Sequence, residues 1–496
     1  MIKNVLIGTD LLISYLRNRD YSEGIAIVFR WIQLIGARRV VDMGSLFIAT
    51  HFVSDEEAKR LKGFDYIREM PSLNPSLQVI EKWIKKDSSS KALLMQLNLL
   101  EEDLADILIT ENRETHYLAQ LRKYDDRVFT IEEFVEMCVT EHRELDEMRG
   151  VVLEKVKFGT LSLEDRFFKT FIDEYAPYYY EWFRKKANDF VYAAKDHRGC
   201  LHALLKLKLE EVTSVENDIR PALPLGRCLK ISSLKVEYTG QKLGERFLRI
   251  IFDEAVENKA DYIYYTIFGN SLQRKRLIGM LGKWGFSQWG ENNNTGEQVY
   301  IKPFKSIASL DPLIQFPFQK RNRKTYLVAI DGYFSDLLVP PTEDRSNFYD
   351  FEPFKNAIRK LLIVSNRNLR AKVGDCLFFF RKGKNDAKSF VTAAGIVDGV
   401  FGSFADEDCF IRRCQKRSIL PYQEIHERWM RHGGQPVIVD FLHNYSFTIG
   451  EIGKDKLSYA GIDVSRLSTN TLYELTEEQT NILIKGTTYE KNFVVD

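Results

Sequence analysis

The stretch with the clearest capacity for chemistry is residues 231–248, which read ISSLKVEYTGQKLGERFL. Alternating and β-branched residues predict a strand, and an apolar pattern with helical spacing follows it. Gly240 and Gly244 flank Lys242 at the corner between the two. Such a corner can bind a pyrophosphate, because amides at a helix N-terminus point towards an anion and glycine lets the backbone approach it. The alternative is a corner that only connects a strand to a helix.

The length and charge of the chain limit the kinds of protein that could contain this corner. A chain of 496 residues with 44% hydrophobic residues predicts two to four globular domains. The net charge is +1, which argues against a polyelectrolyte binder as a whole. The charge is uneven, since residues 1–150 hold 20 Lys and Arg against 26 Asp and Glu, whereas residues 305–431 hold 22 against 15. This excess indicates either a basic surface or an ordinary solvated face.

The cysteines and the N-terminal residues bear on location. None of the six cysteines is spaced C-x-x-C from another, which is typical of a reduced protein rather than a disulfide framework. The start, MIKNVLIGTDLLISYL, is interrupted by Asp10 and lacks a small-residue cleavage site. We therefore expect a cytoplasmic protein without a signal peptide, a membrane span or a membrane partner.

The order of predicted elements gives an α/β and α+β multidomain chain. Strands alternate with helices in residues 1–145, which predicts a parallel sheet. Residues 151–304 mix strands and helices around the corner described above. Residues 305–322 contain prolines and the basic run QKRNRK, and they read as a linker. Residues 323–496 hold many short strands with glycine-marked turns, which predict a small β-barrel or half-barrel.

Residues 151–304 resemble a GNAT-family acetyltransferase. The resemblance lies in TGQKLGERFL, in ADYIYYTIFGNS for the next strand with its Asn270, in LGKWGFSQWG and in EQVYIKPF. It implies that acetyl-CoA binds with its pyrophosphate at the corner and its pantetheine along the preceding strand. The residues that this placement assigns to the cofactor are Leu234, Lys235, Val236, Gly240, Gln241, Lys242, Leu243, Gly244, Glu245 and Asn270.

The sequence offers two candidates for the acid or base of such a reaction. The family often uses a tyrosine four residues before the glycine of a Gly-Phe pair, and here that position is Leu281. Glu237 and Tyr238, which come directly after the cofactor strand, are the nearest replacements, although each could be an ordinary surface residue. Acetyl transfer to a nearby amine needs only its deprotonation.

Residues 1–145 resemble a PIN domain in VLIGTDLLISYL, ADILITENRETHYLAQL and DRVFTIEEFV. Active members cut RNA with clustered carboxylates that hold Mg²⁺ or Mn²⁺, hard cations that prefer oxygen ligands. Asp10 matches the first acid, and Glu111 lies beside the position of another, which is Asn112 here. The remaining acids have no clear match, so we expect a degenerate domain. Asp10 and Glu111 are metal ligands only in the alternative that the domain is active.

Residues 323–496 resemble PUA-like domains of the ASCH and EVE type, chiefly in KVGDCLFFFRKGKNDAKSFVTAAGIVDGV. The resemblance implies an RNA-binding module that contacts phosphates through cations and stacks bases on rings. Phe379, Phe380 and Tyr422 could supply the rings, unless the phenylalanines are core residues. The residues predicted to contact RNA are Arg381, Lys382, Lys384, Arg412 and Arg413.

Together these resemblances predict an acetyl-CoA-dependent N-acetyltransferase that acts on an RNA-linked or RNA-associated acceptor. Charged tRNA, a nucleobase or a protein lysine on an RNA-bound partner could serve as that acceptor. One alternative is a metal-dependent ribonuclease of a toxin or phage-defence type, regulated by the GNAT-like region. Another is a non-catalytic RNA-binding adaptor. A protein partner or a homo-oligomer is compatible with each of them.

Overall fold

A computed structural model gives the architecture of most of the chain. The residues that it describes are 2–17, 23–51, 53–54, 61, 64–68, 71–82, 88–142, 151–175, 177–196, 198–214, 218–237, 242–269, 272–304, 309, 311–340, 357–365, 369–383, 389–418, 420 and 422–495.

The chain divides into two compact units whose limits differ from the predicted boundaries. The first unit comprises Met1–Glu147, Glu237–Gly240 and Asp406–Arg417, and the second comprises Met148–Val236, Gln241–Ala405 and Ser418–Asp496. The central and third regions of the sequence therefore lie in one unit. A short segment of the third region belongs to the first unit.

The first unit contains a parallel sheet with helices on both faces. Its strands are β1 Asn4–Ile7, β2 Arg38–Asp42, β3 Asp65–Ile67, β4 Ile107–Ile109 and β5 Val128–Phe129, in the order β3-β2-β1-β4-β5. Its helices are α1 Thr9–Arg17, α2 Glu23–Leu34, α3 Met43–His51, α4 Pro75–Glu81, α5 Ser88–Glu101, α6 Arg113–Leu121 and α7 Ile131–Glu141. Every strand pair is parallel, as predicted, and β3 is a strand that the sequence pattern did not reveal.

The central region forms a mixed sheet of eight strands, in the order β6-β7-β8-β10-β11-β13-β12-β9. The strands are β6 Val152–Lys157, β7 Phe190–Lys195, β8 Leu201–Val212, β9 Ile219–Arg220, β10 Gly226–Val236, β11 Tyr262–Ile267, β12 Ser287–Asn292 and β13 Gln298–Pro303. The helices are α8 Lys169–Tyr175, α9 Tyr179–Lys185, α10 Leu243–Glu257 and α11 Leu272–Lys283, with 3₁₀ turns at Phe158–Thr160 and Arg166–Phe168.

Alternation along the strands separates the two faces of this sheet. One face carries Ile263 and Tyr265 of β11, which pack with Phe247 and Ile251 of α10. Because successive side chains of a strand point to opposite faces, Tyr262 and Tyr264 lie on the other face with Val299 of β13. Helices α8 and α9 also cover this second face, where their aromatic residues pack on Val191, Ala193 and Leu204.

The third region forms an open six-stranded sheet, in the order β16-β19-β18-β17-β15-β20. Its strands are β15 Thr325–Asp331, β16 Arg359–Val364, β17 Cys376–Lys382, β18 Phe390–Phe401, β19 Val437–Ser446 and β20 Leu472–Leu475, and a separate parallel pair joins β14 Gln319–Lys320 to β21 Val494–Val495. Its helices are α12 Pro312–Gln315, α13 Gly332–Leu338, α14 Glu407–Gln415, α15 Tyr422–Arg431, α16 Lys454–Tyr459, α17 Glu477–Ile484 and α18 Thr488–Phe493, with a 3₁₀ turn at Val464–Arg466. Within the described residues, no pairing joins β16 to β20, so of the predicted β-barrel or half-barrel the closed form is corrected to an open sheet.

The described part of the region that we expected to form a linker, residues 309 and 311–322, belongs to the packed second unit. Phe316 is fully buried, and its ring lies 5.4 Å from that of Phe252 in α10 and 5.3 Å from that of Trp284. The same apolar cluster includes Ile396 and Leu442 of the third region. A continuous core of this kind means that the central and third regions fold as one body.

Helix α14 accounts for the segment of the third region that belongs to the first unit. Arg412 Nε lies 2.9 Å from Asp126 Oδ2, and Arg413 Nη1 lies 2.5 Å from Asp125 Oδ2. Lys416 Nζ donates to the carbonyl oxygen of Val128 at 2.6 Å. Burial lowers the pKa of Lys416. These contacts fix α14 beside β5.

A buried lysine on β13 gives a pH-dependent stability. Lys302 is fully buried, its Nζ donates to the carbonyl oxygens of Trp284 and Ile314, both at 2.7 Å, and burial lowers its pKa to about 7. The unfolded chain keeps this proton to a pH near 10.5. Between these two values the unfolded state binds more protons, so this group makes the unfolding free energy rise with pH.

We predict that Lys302→Met removes this rise, which for one proton is at most about 1.4 kcal/mol per pH unit. Urea unfolding followed by tryptophan fluorescence between pH 6.5 and 9.5 measures the slope. Lys283→Met, at an exposed site at the end of α11, is the control and should keep the wild-type slope. An unchanged slope in Lys302→Met would contradict the assignment.

Candidate functional site

Two neighbouring parallel strands of the central sheet separate at their carboxyl ends. β10 pairs with β11 only from Cys228 to Ile231, which face Tyr262 to Tyr265. On its other side β10 stays paired with β8 as far as Val236, with an irregular register between Ile231 and Ser233. β11 meanwhile continues along β13. Among the described residues, no strand pairs with residues 233 to 236 of β10 on the side of β11, so the two diverging strands bound a wedge there.

The end of β11 closes part of this wedge. The hydroxyl of Tyr265 donates to the carbonyl oxygen of Leu234 across the wedge, at 3.3 Å. Burial, with the charge of Glu297 next in size, raises the pKa of Tyr265, so this hydroxyl keeps its proton. Backbone groups beyond Leu234 lie at the open part of the wedge, where an extended ligand with amide groups can pair with them.

Helix α10 begins beside the same strand, as the corner predicted. Lys242 precedes its first residue with φ 50° and ψ 27°, a left-handed conformation that is uncommon for a residue with a side chain. An ammonium group has no acceptor, so the residue in the N-cap position cannot cap the first amides of the helix. Uncapped amides at a helix N-terminus are suited to an anion.

The first turn of α10 also carries a buried charge cluster. The side chains of Lys242 and Glu245 are 3% and 4% exposed, and their Nζ and Oε2 atoms lie 3.7 Å apart. Glu245 Oε1 accepts from the backbone nitrogen of Arg359 at 2.6 Å, with Arg359 Nε 3.4 Å away. Two cations therefore surround one carboxylate at the start of the helix, and the third region supplies one of them.

The structure places the predicted cofactor residues in different settings. Leu234 and Leu243 are buried, and Lys235 Nζ donates to the carbonyl oxygen of Phe167 at 2.6 Å on the face covered by α8 and α9. Among the described residues, a Cβ added at Gly244 would meet Met280 Sδ at 3.3 Å, a tight contact that a small shift of the flexible methionine side chain would relieve. Val236 is half-buried at the end of β10, and Gly240, Gln241 and Asn270 lie outside the described part of the chain.

The structure describes one of the two predicted acid or base candidates. Glu237 follows β10 directly and is half-buried, whereas Tyr238 lies outside the described residues. Leu281, at the position where the family often has a tyrosine, is fully buried in the core. The role of Glu237 and Tyr238 stays a prediction.

A carboxylate that the sequence did not single out lies near the wedge. Glu297 Oε1 accepts from the hydroxyl of Tyr175 at 2.6 Å, and its Oε2 accepts from Thr295 Oγ1 at 2.9 Å. Glu297 is 7% exposed and comes directly before β13. Burial, followed by the charge of Glu297, raises the pKa of Tyr175, so the phenol remains a donor. The pair joins residues 122 positions apart, which no local sequence pattern indicates.

In the first unit, Asp10 and Glu111 meet where β1 and β4 end. Asp10 Oδ1 accepts from Thr110 Oγ1, and its Oδ2 accepts from the backbone nitrogen of Glu111, both at 2.8 Å. Glu111 Oε1 accepts from the backbone nitrogen of Ile131 at 3.0 Å. No group of three potential metal-ligating side chains occurs among the residues that the structure describes. The two carboxylates take part in local hydrogen bonds that join the strand ends.

The residues predicted to contact RNA are largely engaged in other contacts. Arg381 binds Asp336 through two nitrogens, at 2.7 and 2.8 Å, and Lys382 Nζ donates to the carbonyl oxygen of Leu467 at 2.5 Å. Arg412 and Arg413 form the ion pairs of α14 in the first unit, and Lys384 lies outside the described residues.

The rings proposed for base stacking divide in the same way. Phe379 and Phe380 are buried on opposite faces of β17, so they are core residues and cannot stack on a base. Tyr422 is 53% exposed.

Comparisons with known proteins give structural likenesses only. No family model and no curated protein matches the chain. An ASCH protein from Zymomonas mobilis is 14% identical and matches over 34% of this chain and 99% of its own, with a TM-score of 0.25. Naa20 of Chaetomium thermophilum, in complex with a bisubstrate analogue, is 17% identical over 31% of this chain and 87% of its own, with a TM-score of 0.24.

A third solved structure is the GNAT family N-acetyltransferase YhbS of Escherichia coli, in complex with CoA. It is 12% identical and matches over 32% of this chain and 83% of its own, with a TM-score of 0.21. All three scores lie below 0.5, so the function proposed below rests on the geometry of this chain. None of the helices within the described residues has the length and apolar character that crossing a membrane requires.

For the first unit we predict that Asp10→Asn lowers the stability of the protein and leaves RNA cleavage absent, as in wild type. Asparagine has one carbonyl oxygen, so its amide nitrogen would face either the Thr110 hydroxyl or the Glu111 backbone nitrogen, each of which donates to Asp10. Leaving that donor without its acceptor costs about 1–3 kcal/mol of stability. Thermal unfolding measures the loss, and incubation of RNA with Mn²⁺ tests cleavage, which we expect to be absent in both proteins. Glu102→Gln, at an exposed site, is the control. RNA cleavage that disappears in Asp10→Asn would show that this unit is an active nuclease.

Proposed function

We propose that residues 151–304 form an acetyl-CoA-dependent N-acetyltransferase. The observation that carries the proposal is the wedge between β10 and β11, together with the N-terminus of α10, whose first residue Leu243 belongs to the same apolar cluster as Leu234 of β10. A ligand with amide groups at one end and a pyrophosphate at the other fits this succession of groups. Acetyl-CoA has that order along its length, with the reactive thioester at the far end of the amide-bearing arm.

The chain's own groups would hold the two parts of the molecule differently. Backbone groups between residues 234 and 236 would pair with the amides of the pantetheine arm, as a strand edge pairs with a peptide. The first amides of α10 would bind the pyrophosphate. Lys242 and Arg359 lie beside Glu245 at the same place and supply positive charge. The acetyl group would then lie in the wedge between β10 and β11.

An RNA-linked or RNA-associated acceptor remains part of the proposal. Its support is the excess of Lys and Arg between residues 305 and 431. The ion pairs of Arg412 and Arg413 account for part of that charge, so an RNA surface would depend on the other cations of this region, among them Lys382, Lys384 and Arg381, whose partner Asp336 a phosphate would displace. Metal-dependent RNA cleavage by the first unit has no comparable support.

The cofactor placement predicts different effects on CoA binding for two substitutions of Gly244. Gly244→Asp should abolish CoA binding, because it adds negative charge where the phosphates approach. The fold should survive, since an acid in the first turn favours a helix. Gly244→Ala adds only the Cβ and should bind CoA within a few-fold of wild type. Isothermal titration calorimetry with CoA measures both, and full affinity in a folded Gly244→Asp protein would refute the placement.

RNA binding by the third region predicts a salt-dependent affinity. Replacing Arg381, Lys382 and Lys384 by glutamine should weaken binding and reduce the slope of log affinity against log salt by about one for each phosphate that the protein ceases to neutralise. Fluorescence titrations at three salt concentrations measure the slope. The full chain is needed, because the third region shares its core with the central region.

The control for this RNA experiment removes the same charge elsewhere in the third region. Its glutamine substitutions are at Arg466, Lys485 and Lys491, which are exposed. Equal affinity and slope in the two triple variants would contradict a specific RNA surface.

A further inference from the structure

We propose that Glu297 binds and deprotonates the acceptor amine, and that Tyr175 is the positioning residue that holds its carboxylate. The inference rests on the proposed acetyltransferase function and names the group that would act on the second substrate. The proposed role of Glu297 uses none of the contacts of the cofactor site, because Glu297 lies on the opposite face of the sheet from α10.

Strand register places Glu297 at the mouth of the wedge. Gln298 pairs with Ile267, the last residue of β11, so Glu297 comes one residue beyond that pair. Alternation puts its side chain on the face of Val299, whereas Tyr300 shares the other face with Tyr265. A cofactor held by α10 and an amine held by Glu297 would therefore approach the wedge from opposite faces.

Side-chain contacts also place Glu297 on the face covered by α8. The hydroxyl of Tyr175, the last residue of α8, reaches Glu297 Oε1 at 2.6 Å. The ring of Tyr175 lies 5.6 Å from that of Phe268, which directly follows β11. The charge of Glu297 also acts on Tyr265, whose hydroxyl spans the wedge. The carboxylate is thus fixed close to the strand ends that separate.

The carboxylate has capacity left for a substrate. An ionised carboxylate has about four acceptor positions, and Tyr175 and Thr295 occupy one on each oxygen. A primary ammonium can donate to the positions that remain. The nearby rings of Tyr175 and Phe268 also suit a cation. The acceptor class that this site recognises is accordingly a primary amine.

The chemical step follows from these positions. The ammonium group of the acceptor gives one proton to a Glu297 oxygen, and the resulting amine nitrogen attacks the acetyl carbonyl carbon. A C–N bond forms, the C–S bond breaks, and CoA leaves as a thiolate. The amine loses its second proton in forming the amide, and that proton balances the thiolate. General base catalysis of this kind typically contributes about 10²–10⁴-fold to the rate.

Three ionisable groups lie close enough to Glu297 for its charge to act on them. They are Tyr175 of α8, Tyr265 of β11 and Arg274 of α11, whose guanidinium has its pKa lowered chiefly by burial and raised by Glu297. Arg274 also pairs with Glu174. Of these three, Tyr175 donates a hydrogen bond to the Glu297 carboxylate.

The test compares two ligands of the full-length protein by calorimetry. One is CoA, and the other is its S-(2-aminoethyl) thioether, which carries a primary ammonium where an acceptor amine would lie. Wild type should bind the thioether at least about tenfold more tightly than CoA, and Glu297→Gln should remove this preference while binding CoA normally. Glu291→Gln, an exposed carboxylate on β12, is the matched control and should keep the preference.

Tyr175→Phe tests the positioning role, because it keeps the ring and removes the hydroxyl that donates to Glu297 Oε1. The preference for the thioether should shrink in Tyr175→Phe while the affinity for CoA stays that of wild type, which a general loss of packing would not produce. Release of CoA from acetyl-CoA with water as the acceptor should fall about 100-fold in Glu297→Gln.

The outcomes separate the inference from the function on which it rests. Failure of both ligands to bind wild type would refute the acetyl-CoA site. Normal CoA binding without a preference for the thioether would overturn the role of Glu297 alone. A preference that persists in Glu297→Gln, or equal CoA release in the variant and wild type, would overturn it as well.

Discussion

The separation of β10 from β11 is the constraint on which the proposed site depends. Pairing stops at Ile231 and Tyr265, and a register irregularity in β10 follows immediately. A regular ladder would satisfy the edge of β10 internally and leave no place for a ligand. The irregularity keeps β10 paired to β8 while its other edge becomes open. The tyrosine hydroxyl across the gap spans only its narrow end, at Leu234.

Helix α10 links this edge to the third region within the second unit. Its first turn contacts Arg359 through Glu245, and one turn further Arg249 donates to the carbonyl oxygens of His443 and Asn444. Buried charges of this kind are costly unless paired, so both elements must be present for the helix to keep its place. The central region is therefore built to fold with the third region, and a phosphate site at the start of α10 would include a cation from a strand 114 residues away in sequence.

Local patterns predicted the individual strands and helices better than the way in which these pack together. The strand–corner–helix around residues 226–257 and the parallel sheet of the first unit followed from alternation and helical spacing. The buried position of Phe316 was missed because prolines and basic residues around it are typical of a linker. Arg412 and Arg413, which the resemblance to PUA-like domains assigned to RNA, instead form ion pairs that join helix α14 to the first unit. The contact of Tyr175 with Glu297 depends on tertiary packing, which no spacing rule encodes.

The central claim is that the open edge of β10 and the start of α10 bind one ligand. Hydrogen exchange of the full-length protein with and without acetyl-CoA tests it most directly, since ligand binding slows exchange only where amides become hydrogen-bonded or protected. The account predicts new protection at residues 234–236 and 243–245 together, with no change in β8 near residue 209. Acetyl-CoA that leaves both segments unprotected, or that protects only a distant part of the chain, would contradict it.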